Sequence, residues 1–369
     1  MGKCLVTKLK GAVDNQNLLR IGEMRIKFNK VSNPTDTTQC IIFKVSRDTK
    51  IEIIGDGYFT DSSLAQNNGK NLTILANVST EVYVSNNDIE FSIPDKYAIA
   101  NISVKEQYRG NASFDIEGLK FSTSLTNLYL TNMPAYGDII NLKNLTALTK
   151  LTVSNTQISG DIAALKNLTA LTNINLDNTQ ISGDIINLKN LTALTNMTVS
   201  NTQISGDIIN LKNLTALTKL TVSNTQISGD IAALKNLTAL TNINLDNTQI
   251  SGDIINLKNL TKLTNMQFKN VTGLTGDMGT LPDNILFFTG GSGKFTWTTS
   301  SRTYILATEK AHCDKIDDML NDMATKTAKF AGDSTWYKRI ELIGTRTSAS
   351  DAAVATLQSK GYTVSITPA

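Results

Sequence analysis

The sequence of 369 residues is poor in the residue types that usually mark catalytic, metal-binding or disulfide-bonded proteins. It has a single histidine, His312, and three cysteines, Cys4, Cys40 and Cys313. An odd number of widely spaced cysteines predicts no disulfide framework and favours folding in a reducing compartment. We expect His312 and Cys313 to lie at the start of a helix, and because no second histidine or cysteine stands at ligand spacing, the sequence predicts no zinc site.

Long apolar runs and a strong net charge are also missing. No stretch approaches the roughly 18 apolar residues that cross a membrane, and the amino terminus lacks the apolar core of a secretory signal. We therefore expect no membrane insertion, and synthesis in a cytoplasm without signal-directed export. The net charge of +3 is too small to predict nucleic-acid binding.

Catalytic signatures are equally scarce. The glycine-rich segment GGSGK is followed by phenylalanine and lacks the spacing of a phosphate-binding loop. Glycosidase chemistry needs two carboxylates that face each other across a cleft, and the sequence singles out no such pair. The sequence predicts a non-enzymatic protein with no catalytic residue, no metal and no cofactor.

Internal repetition is what the sequence has in excess. The segment NTQISGDI begins at Asn155 and returns unchanged at Asn178, Asn201, Asn224 and Asn247, always 23 residues on. A longer period overlies this one, because residues 138–192 are identical to residues 207–261. A fixed short period indicates that each unit is one structural repeat that is buried only when its neighbours stack on it.

The apolar positions of the unit have the spacing L-x-x-L-x-L, as in Leu148, Leu151 and Val153, followed by isoleucine at position 158. This pattern resembles the leucine-rich repeat family, in the extended subclass whose units continue with S-G-D-I, and it runs from Leu125 to Met278. The resemblance implies an α/β solenoid of parallel strands with short helical or 3-10 turns. Around it we expect a β-rich amino-terminal module and an α/β carboxy-terminal cap.

Three polar positions of the unit have predicted structural roles. Gly160 allows a sharp turn, and Asp161 is placed to cap the following helical turn through backbone N–H groups. Thr156 stands where the family usually has an inward asparagine, so we expect a threonine ladder that bonds the buried backbone of adjacent turns.

The repeated aspartates keep step with a column of lysines five residues later. The aspartates are Asp138, Asp161, Asp184, Asp207, Asp230, Asp253 and Asp277, and the lysines are Lys143, Lys166, Lys189, Lys212, Lys235 and Lys258. Stacked carboxylates attract calcium, but helix capping together with mutual neutralisation explains both columns without a metal. We favour the second explanation.

Composition divides the chain into four predicted regions. Residues 1–48 form a β-rich attachment module, residues 49–118 an irregular β capping region, residues 119–284 the repeat array, and residues 285–369 an α/β carboxy-terminal capping domain. In the last region, Ile316, Met319, Leu320 and Met323 share one face of an amphipathic helix. A second helix follows, with Ser348 or Ser350 as its cap and Gly361 as its end.

The outward positions of the predicted strands are small, polar and repeated. The candidate contact residues of this face are Lys150, Asn173, Asn175, Asn196, Lys219, Asn242 and Asn244. They include no tryptophan, tyrosine or arginine, the residues that usually anchor interfaces. The face is therefore interpreted as a solvated spacer, with a shallow glycan-binding face as the alternative.

The carboxy-terminal region supplies the aromatic and arginine side chains that the repeats lack. The candidate receptor contacts are Trp297, Tyr304, Trp336, Tyr337 and Arg339. Packing of the core and cap is the alternative role for these residues.

The amino-terminal segment MGKCLVTKLKGAVDNQNLLRIGEMRIKF is basic and resembles the amino-terminal module of structural and fibre proteins from bacteriophages of gut Bacteroidales. Its candidate anchoring residues are Lys3, Lys8, Lys10, Arg20, Arg25 and Lys27. A solvated strand face is the alternative reading of these charges.

The resemblance implies a virion structural protein, a head or tail fibre or a decoration protein, assembled in the host cytoplasm. Its expected partners are other virion proteins at the amino terminus and a host surface protein or glycan at the distal end. A homo-oligomer is expected, with a trimer as the guess typical of fibres. The alternative is a leucine-rich repeat adhesin on a bacterial cell surface.

Overall fold

The structure is a computed structural model that describes residues 115–368 apart from 286, 299, 301 and 329–337, and, upstream of residue 115, the backbone of eight strands. The chain divides into two compact units, Met1–Gly183 and Asp184–Ala369. The expected boundaries at residues 48, 118 and 284 stay predictions.

The first unit starts with antiparallel strands. They are β1 (Met24–Phe28), β2 (Thr38–Val45), β3 (Thr49–Ile54), β4 (Asn71–Ile74), β5 (Ser79–Ser85), β6 (Ile89–Ile93), β7 (Ile99–Val104) and β8 (Ala112–Asp115). β6 pairs with β1 and β3, and β2 pairs with β5 and β7, all antiparallel.

Each repeat contributes two short strands, one to each of two sheets, and a 3-10 turn. In the first unit the strands are β9 (Asn127–Tyr129), β10 (Ala135–Asp138), β11 (Lys150–Thr152), β12 (Gln157–Asp161), β13 (Asn173–Asn175) and β14 (Gln180–Asp184). Pairing is parallel and in register, so that Leu151 of β11 lies between Leu128 and Ile174. β7 and β8 pair in parallel with β9 and β10, which joins the antiparallel strands to the repeats.

The second unit continues the same arrangement. Its repeat strands are β15 (Asn196–Thr198), β16 (Gln203–Asp207), β17 (Lys219–Thr221), β18 (Gln226–Asp230), β19 (Asn242–Asn244), β20 (Gln249–Asp253), β21 (Asn265–Gln267) and β22 (Gly273–Asp277). The 3-10 turns of this unit are Ile185–Leu188, Ile208–Leu211, Ile231–Leu234, Ile254–Leu257 and Met278–Thr280. Parallel strands and short 3-10 turns agree with the expected α/β solenoid.

The core is formed by the apolar positions of the repeat. In the repeat that begins at Leu148, the side chains of Leu151, Val153, Ile158 and Ile162 have no solvent exposure. Burying such a side chain contributes roughly 1.5–3 kcal/mol. Because the same positions are buried in each repeat, the core extends along each unit without a change of composition.

An asparagine column turns the chain between the two strands of a repeat. Asn155 and its equivalents adopt a left-handed backbone, with φ between 55° and 59°, which asparagine tolerates better than most residues. The amide groups stack: the side-chain nitrogen of Asn155 donates to the side-chain oxygen of Asn132 at 2.7 Å, and that of Asn247 donates to Asn224 at 2.6 Å. The repeated segment NTQISGDI therefore begins with a turn residue whose side chain also links successive repeats.

The threonine ladder lies elsewhere than predicted. The hydroxyl of Thr156 donates to Val153 O within its own repeat, at 2.7 Å, so it does not reach an adjacent turn. The ladder between repeats is made by the threonine at the start of the strand, as in Thr241, whose hydroxyl donates to Thr218 O at 3.0 Å. The expectation for Thr156 was wrong because the positive φ of Asn155 folds the chain back on itself at that point.

The glycine and aspartate of the S-G-D segment act across neighbouring repeats. Gly229 has φ of +106°, and a Cβ added to it would overlap the carboxylate of Asp207. Asp207 in turn caps its own 3-10 turn by accepting a hydrogen bond from Ile209 N at 2.8 Å. The predicted capping by the aspartates is confirmed, since Asp161 accepts the N–H of Ala163 in the same way.

The rest of the second unit extends the sheets with longer elements. These are β23 (Phe287–Thr289), β24 (Lys294–Thr296), β25 (Ala307–His312), α1 (Ile316–Ala324), β26 (Arg339–Ile343), α2 (Asp351–Ser359) and β27 (Thr363–Thr367). β25, β26 and β27 are parallel neighbours. The amphipathic helix is confirmed, because all four of its predicted inward residues are buried.

One local prediction in this region was wrong. His312 ends strand β25 and Cys313 is buried beyond it, so neither begins the helix. Ser350 is the N-cap residue of α2, as predicted, but its side chain makes no capping hydrogen bond there; Thr347 caps the 3-10 turn before that helix, through Ala349 N. Sheet pairing overrides the helix preference of the alanine, glutamate and lysine in β25.

Candidate functional site

In each unit, the outward residues of one sheet, that of β11 and β13 or that of β17 and β19, form a face that we call the strand face. Lys150 and Lys219 are exposed there, while Asn173, Asn196 and Asn242 are half-buried. Asn196 and Asn242 bond to neighbouring threonines; for example, the hydroxyl of Thr241 lies 2.8 Å from the side-chain oxygen of Asn242. These two amides are engaged within the array, and contact of the candidate residues with a partner stays a prediction.

The remaining two candidates on this face have structural roles at the strand ends. Asn175 and Asn244 accept hydrogen bonds from Asp177 N at 3.1 Å and Asp246 N at 2.9 Å. The side-chain nitrogen of Asn244 also donates to Gln267 at 2.7 Å. Burial raises the pKa of Asp246, and the hydrogen bond from Lys269 N opposes that rise. Each unit thus presents one exposed lysine of the candidate set, Lys150 or Lys219, beside asparagines such as Asn175 and Asn244 that bond to their neighbours.

In each unit, the 3-10 turns form a second face, which we call the turn face; it carries the capping aspartates, the second residue of each turn and the lysine after it. Each aspartate uses one carboxylate oxygen for its cap, as Asp230 does with Ala232 N at 2.8 Å. Among the described residues, no ion pair within 4.0 Å joins an aspartate to a lysine of these columns. Capping therefore accounts for the aspartates. The expected neutralisation of the aspartates by the lysines does not take the form of direct ion pairs among the described residues.

A shallow groove lies on the turn face of the first unit. It has a volume of about 370 Å³ and is lined by Asp138, Ile140 and Lys143 from one repeat and by Asp161, Ala163 and Lys166 from the next. In the part of the chain that the structure describes, no three histidine, cysteine, aspartate or glutamate side chains lie close enough together to hold a metal ion.

Of the aromatic and arginine candidates, Trp297 lies in the core of the carboxy-terminal region, with 2% of its surface exposed. Its indole N–H donates to Asp322 at 3.1 Å. Tyr304 is half-buried, and Arg339 is half-buried and pairs with Glu341 at 3.1 Å. Trp336 and Tyr337 lie outside the described residues. Receptor contact at these positions stays a prediction.

The candidate anchoring residues are almost wholly beyond what the structure describes. Lys3, Lys8, Lys10 and Arg20 lie outside the described residues. Arg25 and Lys27 fall within the backbone of strand β1 (Met24–Phe28). Among the helices that the structure describes, none has both the length and the apolar character of a membrane span.

A buried arginine that the sequence did not single out holds the region after the last repeat. Arg302 is 5% exposed and donates to the carbonyl oxygens of Leu281 at 3.0 Å and Pro282 at 2.7 Å, and to that of Ile285. Burial lowers the pKa of Arg302 to about 10, although the charge of Asp283 opposes this. Arg302 is a single arginine in a segment of serine and threonine residues, so no periodic pattern in the sequence marks it as buried.

Comparisons with known proteins identify the fold. No protein-family model and no curated protein matches the chain. The crystal structure of PEPR1–AtPEP1 is similar, with a TM-score of 0.51 and 22% identity over 69% of this chain and 36% of that one. A TDR receptor gives a TM-score of 0.50 and 17% identity, over 73% of this chain and 47% of the receptor.

The leucine-rich repeat ectodomain of the plant receptor kinase GASSHO1/SCHENGEN3 from Arabidopsis thaliana gives a TM-score of 0.49 and 18% identity, over 69% of this chain and 34% of that one. The chain thus spans less than half the length of these three solved structures. Such low identities are informative about the fold alone. The periodic sequence, the parallel repeat strands and the similarity to the PEPR1–AtPEP1 and TDR receptor structures together identify a leucine-rich repeat solenoid.

Proposed function

We propose that the chain is a non-enzymatic bacteriophage virion protein in which the repeats act as a spacer between an attachment end and a distal end. The amino-terminal residues attach it to other virion proteins, and the carboxy-terminal region contacts a protein or glycan on the host surface. The observation that carries the spacer role is the uniformity of the repeats, since residues 138–192 and 207–261 are identical.

Uniform repeats favour a spacer over a recognition surface for a physical reason. A site for one specific partner needs a cluster of side chains that occurs once, usually with aromatic or arginine anchors. The strand face repeats the same small polar groups, and asparagines such as Asn244 bond to their neighbours. Adding or removing a block of three repeats would lengthen or shorten the array without creating or destroying a site.

The virion assignment is supported by the resemblance of residues 1–28 to the amino-terminal modules of phage structural proteins. A bacterial surface adhesin of the leucine-rich repeat type is the second candidate. In both candidate functions the repeats act as a spacer, but the virion protein would be located on phage particles and the adhesin on the bacterial cell surface.

Location separates the two candidates. An antibody raised against residues 285–369 would be applied, with gold labelling, to purified phage particles and to uninfected host cells. Gold at fibres or vertices of particles is the expected result. Gold on cells alone would replace the virion role with that of a surface adhesin.

The spacer role is tested by deleting residues 138–206, which joins Gly137 to Asp207 and keeps the repeat frame. We expect normal occupancy on particles and the same host binding, with the gold label nearer to the particle. Deletion of residues 1–48 is the matched comparison and should abolish incorporation. If the repeat deletion abolishes host binding while occupancy is normal, the array itself carries the contact and is not a spacer.

A further inference from the structure

Strand β27 is the last strand of its sheet. It pairs in parallel with β26 along its whole length, from Thr363 to Thr367, without a break in register. In the part of the chain that the structure describes, no strand pairs with its other edge. An open edge of this kind presents backbone N–H and C=O groups with which another chain can pair.

β27 lacks the features by which edge strands usually avoid such pairing, which are charged side chains, prolines and bulges. Its sequence is TVSIT, and the proline comes only after the strand has ended. Thr363, Ser365 and Thr367 are exposed, and Val364 and Ile366 are half-buried. The open edge is therefore uncharged and regular over the whole strand.

The backbone groups on the open edge belong to Val364 and Ile366. In a strand, the N–H and C=O of one residue point to one edge, and those of the next residue point to the other. The carbonyl oxygen of Thr367 accepts the N–H of Gly344, which follows β26, at 2.9 Å. Thr367 and Ser365 therefore direct their backbone groups toward β26, while those of Val364 and Ile366 point away from it.

We propose that β27 pairs with β27 of a second copy of this chain, antiparallel, about a two-fold axis that passes between the two copies of Ser365 perpendicular to the sheet. Val364 of each copy then lies opposite Ile366 of the other, and each such pair exchanges two backbone hydrogen bonds. A two-fold contact requires a self-complementary surface. The strand TVSIT is self-complementary, because threonine lies opposite threonine, serine opposite serine and valine opposite isoleucine.

The neighbouring registers leave backbone groups without partners. With Val364 opposite itself, Ile366 would lie opposite Tyr362. The N–H of Tyr362 is already donated to Leu357 O at 3.1 Å. With Ile366 opposite itself, Val364 would lie opposite Pro368, which has no N–H. Of the three registers, the proposed one pairs every backbone group that the edge offers.

The apolar side chains of the strand also match across the axis. Val364 and Ile366 lie beside Ile340 and Leu342 of β26, which are buried. Residues directly opposite each other in an antiparallel pair share a face of the sheet, so the second copy continues this apolar row. Two strands of this length form a contact smaller than the roughly 800 Å² per partner of a standard interface, so the dimer is a weak one.

The association is measured by sedimentation velocity on the full chain, from about 1 µM to about 1 mM, the range of weak complexes. We expect a reversible monomer–dimer equilibrium that added salt changes little, because the pairing strands carry no charge. A monomer throughout this range, or a trimer, overturns the proposal. In the monomer case the edge is left for a strand of another protein.

A proline substitution tests the backbone pairing. Ile366→Pro removes an N–H that points to the open edge, where proline is tolerated, and each dimer loses two of its four hydrogen bonds. The dissociation constant should rise about tenfold or more, which corresponds to a loss on the scale of hydrogen bonds. Ile366→Ala is the matched control, since it removes the same side chain and retains the N–H. Equal weakening by the two variants overturns the backbone pairing.

A mixing experiment tests the axis and does not depend on the stability of the proline variant. Ser365→Lys and Ser365→Glu each place like charges directly opposite each other across the axis, and each should raise the dissociation constant about three- to tenfold. An equimolar mixture sets lysine opposite glutamate and should form heterodimers at least as tight as the wild-type dimer. The controls are Gln226→Lys and Gln226→Glu, at an exposed position of β18 in the other sheet, which should associate as the wild type does, alone or mixed. Failure of mixing to tighten association, or the same pattern at Gln226, overturns the two-fold arrangement.

Discussion

The repeats and the carboxy-terminal region of the second unit are stabilised in different ways. In the repeats, the polar contacts recur from one repeat to the next, either within a repeat, as in the cap by Asp207, or between equivalent residues 23 positions apart, as between Asn247 and Asn224. In the carboxy-terminal region, single charged side chains hold segments that no repeat relates. Arg302 binds three carbonyl groups, and Asp322 accepts the indole N–H of Trp297 and the hydroxyl of Ser300.

The two kinds of contact differ in how much stability a single substitution should remove. A repeat contact has copies on either side, so stability is close to a sum of repeat and neighbour terms. A charged side chain that occurs once has no copy, and its loss leaves buried groups without partners. We therefore expect few polar substitutions in the repeats to be severe, unless they alter the backbone geometry that lets repeats stack.

Gly229→Ala should lower the free energy of unfolding most. It tests whether a substitution that alters the backbone geometry of a repeat is severe although polar substitutions there are not. The new methyl group combines an unfavourable φ of +106° with overlap against Asp207 of the preceding repeat. We expect the free energy of unfolding to fall by about 3–5 kcal/mol. Urea denaturation followed by circular dichroism measures it.

The neighbouring Ser228→Ala is the control, since this half-buried side chain lies in the same strand, and it should cost less than about 0.5 kcal/mol. The Asp207→Ala background tests the cause. In that background the new methyl group no longer overlaps the carboxylate, and only the unfavourable positive φ remains. Gly229→Ala should therefore lower the free energy of unfolding by at least about 1 kcal/mol less than in the wild type. An unchanged cost would assign the whole effect to the backbone conformation.

The repeats were predictable because each inference could be checked five times along the sequence. The strands and the capping aspartates followed from the period. The expected sharp turn at Gly160 was wrong, because this glycine lies within strand β12, with a positive φ of 105°. The ladder was misassigned because each unit has threonines at both Thr149 and Thr156, and only the backbone path decides which hydroxyl reaches the next repeat. The left-handed preference of asparagine would have pointed to Asn155 as the turn residue.

The carboxy-terminal region was predictable only in outline. Hydrophobic periodicity identified α1, because Met319 and Met323 lie on its buried face. The contacts of Arg302 with Leu281 and Pro282 join residues about 20 positions apart without any pattern. Nor could periodicity show that His312 belongs to a strand, since only its pairing with Ile343 places it there.

Arg302→Met should have the second-largest effect and would sharpen the contrast directly. Methionine retains much of the buried volume but none of the donors, and three carbonyl groups are left in an apolar setting. We expect a loss of about 2–4 kcal/mol in the free energy of unfolding. Arg339→Met is the matched change at a half-buried ion pair with Glu341 and should cost less than about 1 kcal/mol. Similar losses at both positions would contradict the special role of Arg302.

Asp317→Asn should have the smallest effect at neutral pH, and its value lies in its pH dependence. Hydrogen bonds from the hydroxyls of Ser350 at 2.5 Å and Thr347 at 2.7 Å lower the pKa of Asp317, with help from Thr347 N. A carboxyl whose pKa is lower in the folded state contributes stability above its unfolded pKa of about 3.9. That contribution is lost as the pH falls through the folded pKa.

The wild type should therefore lose more stability between pH 7 and about pH 3 than the Asp317→Asn variant, and the two urea midpoints should converge on acidification. Asp318→Asn is the control for removing a charge from the same helix; its side chain is 63% exposed and lies 3.9 Å from Lys315. Parallel acid profiles for wild type and Asp317→Asn would mean that the contacts of Asp317 do not depend on its charge. Convergence would instead identify a singly occurring, charge-dependent link between α1 and the segment before α2, a kind of contact that the capping aspartates of the repeats do not make.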